Sequence, residues 1–182
     1  MKPTAKVILA SLLTACYAWP AANAYGQETI GTLERVCAKE ETPHLAPDFT
    51  LPGLKGQRIK SGDLKGNVVV LDFWATWCGP CIGEIPVFNS LQRKYGARGV
   101  KVIGLAVQSG WTRDIKRFVA KHKMQYTILA GNDDTVADFD VINFPTTYLI
   151  GPGWKIYRKY SGAYEGKGAE IERDIETLLK AK

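Results

Sequence analysis

Two cysteines separated by two residues stand in Trp77-Cys78-Gly79-Pro80-Cys81, between an apolar β-branched run and a stretch of helical periodicity. Two thiols at that spacing close a small disulfide ring when both lie at the first turn of a helix. Cys78 then sits where unpaired N–H groups and the helix dipole favour the thiolate over the thiol. It is expected to be the more exposed of the two and to attack a partner disulfide. Cys81, a turn inside, is placed to attack the mixed disulfide and release the product. Pro80 is tolerated because early helical positions have no intrahelical N–H partner. The competing chemistry is a zinc or copper site. Zinc needs two further ligands, and the candidates Cys37, His44 and His122 supply no second close pair, so no metal is expected. A Cys-x-x-Cys pair between strand and helix points instead to redox chemistry that needs no bound cofactor.

Two carboxylates accompany the pair. Asp72 interrupts the otherwise apolar Val68-Val69-Val70-Leu71-Asp72-Phe73-Trp74, six residues before Cys78. If it lies beneath the motif, burial raises its pKa and suits it to take the proton of Cys81 during resolution, through a water. The bland alternative is a carboxylate paired with a lysine for stability. Glu84 follows Cys81 by three residues, where an acidic side chain already suits the dipole of a starting helix.

The elements that must position these residues follow from periodicity. Residues 25–44 read as a polar tether or short helix, ended by Pro43 and Pro47. Asp48–Leu51 and Gln57–Ile59 flank a Gly-rich turn and form a hairpin. Val68–Trp74 and Val100–Val107 are buried strands. Ile82–Tyr95 is a helix that Pro86 should bend. Thr112 is a plausible N-cap for a helix with Ile115, Phe118, Val119 and His122 on one face. Tyr126–Leu129 is a strand and Asp134–Phe139 a short helix. Thr146–Ile150 and Ile156–Tyr160 are strands about the turn Gly151-Pro152-Gly153, and Ile171, Ile175, Leu178 and Leu179 mark a last helix. The order, a hairpin, then βαβαβα, then ββα, predicts an α/β sandwich with parallel strands joined by crossovers and a closing antiparallel hairpin on the same sheet.

At this point a resemblance appears. Leu71-Asp72-Phe73-Trp74-Ala75-Thr76-Trp77-Cys78-Gly79-Pro80-Cys81 is similar to the active-site segment of thioredoxin-fold proteins, and Asn143-Phe144-Pro145-Thr146-Thr147-Tyr148-Leu149-Ile150 resembles that family's cis-proline landmark. The likeness covers roughly residues 46–180. The stretch 108–144 holds an extra αβ unit. Together with the hairpin and Cys81-Ile82-Gly83-Glu84-Ile85-Pro86, it resembles the extracytoplasmic TlpA/ResA-like group. This implies a thioredoxin-like sandwich with a central mixed β-sheet, an N-terminal β-hairpin and an αβ insertion. It also implies a Cys78–Cys81 disulfide, a tuning role for Glu84 and a cis bond before Pro145. That bond would offer the Phe144 backbone to a client strand. Trp77 would cover one side of the thiols, with Thr146 completing the client-binding set. Asp72 is what thioredoxin itself has where this group often has Asn. The group usually reduces disulfides of exported clients, such as apocytochrome c or copper-site proteins, with electrons from a membrane dithiol donor. A peroxidase of the same fold would need an isolated Cys in a Pro-x-x-x-Thr-x-x-Cys setting, which is absent.

The rest of the sequence bounds these readings. At 182 residues, 46% apolar and 23% charged, it suits one globular domain over residues 45–182, taken as a monomer. The net charge of +6 falls to +4 without Lys2 and Lys6, too little for a nucleic-acid footprint. Those lysines precede the apolar Val7–Ala15, the plan of a signal peptide over residues 1–24 with cleavage after Ala22-Asn23-Ala24. Leu13-Thr14-Ala15-Cys16 resembles a lipobox that would place a lipid on Cys16, and an uncleaved anchor is a third route. All three put the domain outside the cytoplasm, where disulfide chemistry is permitted. Cys37 is a spare: a small buried hydrophobe, a free thiol or an intermolecular partner.

Overall fold

Every residue of β3 (Val68–Trp74) is buried, and the architecture follows from covering both faces of that strand. The computed structural model describes residues 44–181, so the readings on residues 1–43, Cys16 and Cys37 among them, lie outside the described residues. Before β3 come β1 (Thr50–Pro52) and β2 (Arg58–Lys60), a separate antiparallel pair with Leu51 opposite Ile59. After it follow α1 (Gly79–Tyr95), β4 (Val100–Ala106), α2 (Thr112–Lys121), β5 (Thr127–Ala130), α3 (Asp133–Asp138), β6 (Thr146–Ile150), β7 (Ile156–Ser161) and α4 (Lys167–Lys180). The five-stranded sheet has the order β5-β4-β3-β6-β7. β3, β4 and β5 run parallel, while β6 is antiparallel to β3 and to β7. The expected mixed sheet, hairpin and αβ insertion, here α2 with β5, are all present.

Side chains alternate across β3, as a pleated strand requires. Val69, Leu71 and Phe73 join the hairpin residues Phe49 and Leu51, with Phe139 and Val141, in one core. Val68, Val70 and Trp74 join Ile85, Phe88 and Leu91 of α1, Ile115 of α2, and Ile171 and Ile175 of α4 in the other, which also holds Cys78 and Cys81. By that parity Asp72 points to the face carrying the cysteines.

Two boundaries differ from periodicity. α1 starts at Gly79, ahead of Ile82, because its first residues, Gly79 and Pro80, are exposed and carry no apolar signal. It continues through Pro86, itself exposed. Thr112 is the first residue of α2 rather than its N-cap, which is Trp111 in extended backbone. His122 stacks on Phe118 at 4.1 Å between ring centres, extending the apolar stripe of that helix. α4 is tied to the far end of α1 by Lys94 with Glu172 and by Tyr95 Oη donating to Glu172 at 2.8 Å, and to the turn after α1 by a forked Arg98–Glu176 pair at 2.8 and 2.9 Å.

Gly104 of β4 lies directly opposite Asp72. A Cβ there would come within 2.8 Å of Trp74 Nε1 and Ile128 Cδ1 and 3.0 Å of Tyr126. The missing side chain makes room for the rings over the acid. Gly104→Val is therefore expected to cost roughly 1–3 kcal/mol through overpacking, read as a lower urea midpoint with an unchanged slope.

Candidate active site

Where β3 ends the chain turns sharply, and Cys78 becomes the N-cap of α1. Its N–H donates to Ala75 O at 3.1 Å, and its Sγ accepts the N–H of Cys81 at 3.3 Å. Sulfur thus takes the place of the capping oxygen and meets the positive end of the helix dipole. Cys78 and Cys81 are joined in a disulfide, with Cα atoms 5.3 Å apart. The expected contrast in exposure is absent from this oxidised state: Cys78 is 5% exposed and Cys81 4%. The distinction between the two sulfurs here is one of position along the helix, with Cys78 at the N-cap and Cys81 inside the first turn.

The turn is held from the β4–α2 connection. Ser109 Oγ accepts the Thr76 N–H at 3.0 Å and donates to Val107 O at 2.8 Å. Trp77 is 63% exposed, yet its indole N–H donates to Gln108 O at 2.9 Å. Gln108 adopts a left-handed φ of 47°, which aims that carbonyl at the indole. Neither Gln108 nor Ser109 carries a sequence signal of its own.

On the other side, the Phe144–Pro145 peptide bond is cis. Phe144 is half-buried, with its ring edge-on to Trp77 at 6.0 Å, so the proline turn and the cysteine turn share one surface. Pro145 is buried, and its carbonyl accepts the Gly162 N–H at 2.8 Å. Thr146, expected among the client-binding residues, is fully buried, and its hydroxyl donates to Asn143 O at 2.8 Å. It is the first residue of β6, hydrogen-bonded between β3 and β7, so it shapes the turn and offers no side chain to a client.

Beneath the pair, Asp72 is 2% exposed. Its Oδ1 accepts the Thr147 hydroxyl at 2.8 Å. Burial lifts its pKa from 3.8 to about 7, helped by the negative charge of Glu84 and opposed by Lys167 and the Thr147 hydrogen bond. Glu84 is also raised by burial, against its hydrogen bond and charge interaction with Lys167. Lys167 lies 2.8 Å from one Glu84 oxygen and 3.0 Å from the other. The lysine that sequence reasoning weighed for Asp72 thus contacts Glu84 directly and reaches Asp72 through its field. Its only sequence signal is a basic residue at the start of a helix, against the preference of the dipole. Among the described residues no three His, Cys, Asp or Glu side chains gather as a metal site.

A model of the AhpC/TSA family matches residues 43–159, most of the described domain. The chain belongs to the AhpC/TSA family. Its similarity extends to the thioredoxin-like protein YneN of Bacillus subtilis, 28% identical over 93% of this chain and 95% of that protein. A thiol-disulfide oxidoreductase ResA of Bacillus thuringiensis subsp. konkukian is 32% identical over 78% of this chain and 79% of its own. Among solved structures, a Chlorobium tepidum protein assigned as the thiol:disulfide interchange protein DsbE superposes with a TM-score of 0.71 at 34% identity, covering 75% of this chain and 96% of that one. This AhpC/TSA member is a thiol–disulfide oxidoreductase of the ResA/DsbE type, with its cysteine pair at disulfide distance.

The elevated Asp72 has a consequence for stability. A carboxyl whose folded pKa lies above its unfolded value holds its proton longer in the native state, so the native state binds more protons between about pH 4 and pH 7. Stability attributable to Asp72 is present at low pH and lost as pH rises through about 7. Asp72→Asn, which keeps an acceptor for Thr147, is expected to be more stable than the parent at pH 8, by roughly 4 kcal/mol at most. The gap should close towards pH 4, as read by urea unfolding of the oxidised protein across that range.

Proposed function

We propose that the protein is an exported reductant of disulfides in extracytoplasmic client proteins, supplied with electrons by a membrane dithiol donor. The observation that carries the reading is the placement of Cys78 at the N-cap of α1, with its bond to Cys81 on the face of the sheet that buries Asp72. In the reduced protein the Cys78 thiolate attacks a client disulfide, and one client sulfur leaves as a thiolate. Asp72 then accepts the proton of Cys81, whose thiolate attacks Cys78 Sγ. The second client thiolate departs, and the enzyme disulfide closes. Two electrons have passed to the client, and Asp72 returns its proton to the departing thiolate or to water.

Several features support this direction and setting. Gly79-Pro80 between the cysteines resembles the reducing member of the fold. The Trp77–Phe144 surface beside cis-Pro145 suits an extended client segment laid along the Phe144 backbone. The basic start and apolar stretch of residues 1–24, cleaved after Ala24 or lipidated at Cys16, would deliver the domain to an oxidising compartment. Apocytochrome c and copper-site proteins are the client classes that fit a reductant working there.

Equilibration with glutathione should place the Cys78–Cys81 couple nearer the about −270 mV of thioredoxin than the about −120 mV of DsbA, and a value at the oxidising end overturns the proposed direction. Cys81→Ser, expressed in the native host, should accumulate client proteins covalently held on Cys78 and released by reductant. Failure of that variant to retain any partner, under conditions in which relatives do, would exclude the transfer role.

A further inference from the structure

β5 pairs with β4 only from Ile103 onward, so the first residues of β4 have no strand beside them on that side. The N–H of Val102 donates instead to Gln92 Oε1 of α1 at 2.9 Å. Gln92 and Lys101 line a cleft of about 910 Å³ at this place. Its other walls come from the turn between β1 and β2, from α2 and from the segment that leads into β5. The cleft lies at the end of the sheet where β4 and β5 begin. The cysteine turn follows the end of β3, which runs parallel to both, so the two sites occupy opposite ends. No residue of the cysteine turn, the cis-proline turn or the buried carboxylates lines the cleft.

The base of the cleft is apolar. Met124, Tyr126 and Ile128 are buried members of the core on the cysteine face, and Leu54 and Val119 pack half-buried against that core. The rim is cationic. Lys55, Lys101, Lys116 and Lys123 come from four separate segments, all are exposed, and none takes part in an ion pair. Arg93 is held at the same edge, donating to Gln125 Oε1 at 3.1 Å. No aspartate or glutamate lines the cleft. The one carboxylate of α2, Asp114, is engaged by Arg113 and Arg117 at 3.9 and 3.7 Å. Like charges gathered in this way repel one another, and a bound anion relieves the repulsion. Lys123 adds a second sign. It follows α2 in left-handed backbone, φ 52°, where the Met124 N–H turns back to Val119 O at 3.1 Å. Glycine is the favoured residue for that conformation, so the lysine is kept there at a cost in backbone strain.

We propose that this cleft binds one small amphipathic anion, a carboxylate on a medium-length hydrocarbon chain. The chain would lie on Met124, Tyr126 and Ile128, with the head group among the four lysines. The volume falls within the range of clefts that take a single small molecule, and the lining has the expected make-up of an apolar base with a few polar groups at its edge. The base selects a tail and the rim selects the charge. A protein partner covers about 800 Å² on each side, for which a concave base of five side chains is small.

The test is calorimetric titration of the full chain with decanoate below its micelle concentration. One site should fill, and the affinity should fall as salt rises. The methyl signals of Met124 and Ile128 should move in step with the heat. Acetate, which is the head group alone, and decyltrimethylammonium, which reverses the charge, should each bind roughly tenfold more weakly or worse. The quadruple variant Lys55→Gln/Lys101→Gln/Lys116→Gln/Lys123→Gln alters exposed side chains only. It should keep its fold and its disulfide-reducing activity and lose roughly tenfold or more in affinity. Lys123→Gly should gain thermal stability while binding severalfold more weakly, an outcome that a lysine kept only for the helix end would not give. Absence of saturable decanoate binding overturns the proposal. Equal binding of decyltrimethylammonium, or unchanged affinity in either lysine variant, overturns it as well. Vesicles of phosphatidylglycerol that bind through the four lysines, with no saturation by decanoate, would assign the rim to a membrane surface instead. Because the cleft stands apart from Cys78 and Cys81, none of these results depends on the direction of disulfide exchange.

Discussion

A carboxyl group in the middle of the central strand is the constraint around which the site is organised. Asp72 has β4 on one side and β6 on the other, helices cover its face, and it is buried. An acid in that position must be neutralised, hydrogen-bonded or strongly shifted. Each neighbour answers to this. Thr147, its partner across the ladder, donates a hydroxyl. Gly104, its partner on the other side, gives up a side chain so that Trp74 and Tyr126 can close over the face. Burial lifts the acid to about 7, with the charge of Lys167 opposing the rise and that of Glu84 adding to it.

Topology explains why this acid lies under a reactive disulfide. β3 is the strand from which the chain builds β4 and β5 on one side and β6 and β7 on the other. The connections leaving the carboxyl ends of β3 and β4 lead to α1 and α2 on one face of the sheet, so their turns lie side by side at the same edge. The turn after β3 supplies Trp77 and the cysteines, the turn after β4 supplies Gln108 and Ser109, and the antiparallel entry of β6 brings Phe144 and Pro145 to the same edge. The clamps found there, Ser109 on the Thr76 amide and Gln108 on the Trp77 indole, fix the cysteine turn without contributing to its chemistry. Trp77 remains exposed while its indole is held by a hydrogen bond, so the ring would be ordered at little cost in the proposed client contact.

Much of this is legible in the sequence, for reasons that differ by residue. The strand of Asp72 announces itself because one charge in a β-branched run has few innocent explanations. The cysteine pair is legible because its spacing fits one turn of helix. The mixed character of the sheet follows from the alternation of strand and helix and the late pair of adjacent strands. Other features depend on tertiary placement and leave no local trace. Lys167 lies far from Glu84 in sequence, and nothing in the neighbourhood of either foretells a pair sealed by α4 docking along α1. Thr146 resembles a site residue by adjacency to Pro145, yet as the first residue of an interior strand it turns inward. The start of α1 was masked because Gly79 and Pro80 face solvent and add nothing to the apolar stripe.

The same arrangement sets stability against reactivity. Above neutral pH the folded chain holds an ionised Asp72 at a buried position, which favours unfolding. A sequence selected for stability alone would replace the acid with an amide, and the hydrogen bond from Thr147 would survive the exchange. The proposed proton role gives the acid a use that its contacts alone do not. When the disulfide opens, two buried thiols lie on the same face of the sheet as Asp72, and ionisable groups that interact within one site share their protons as a group. A charge change at one sulfur must be felt at the acid, and in such a site the coupling of thiol chemistry to proton movement follows from burial itself.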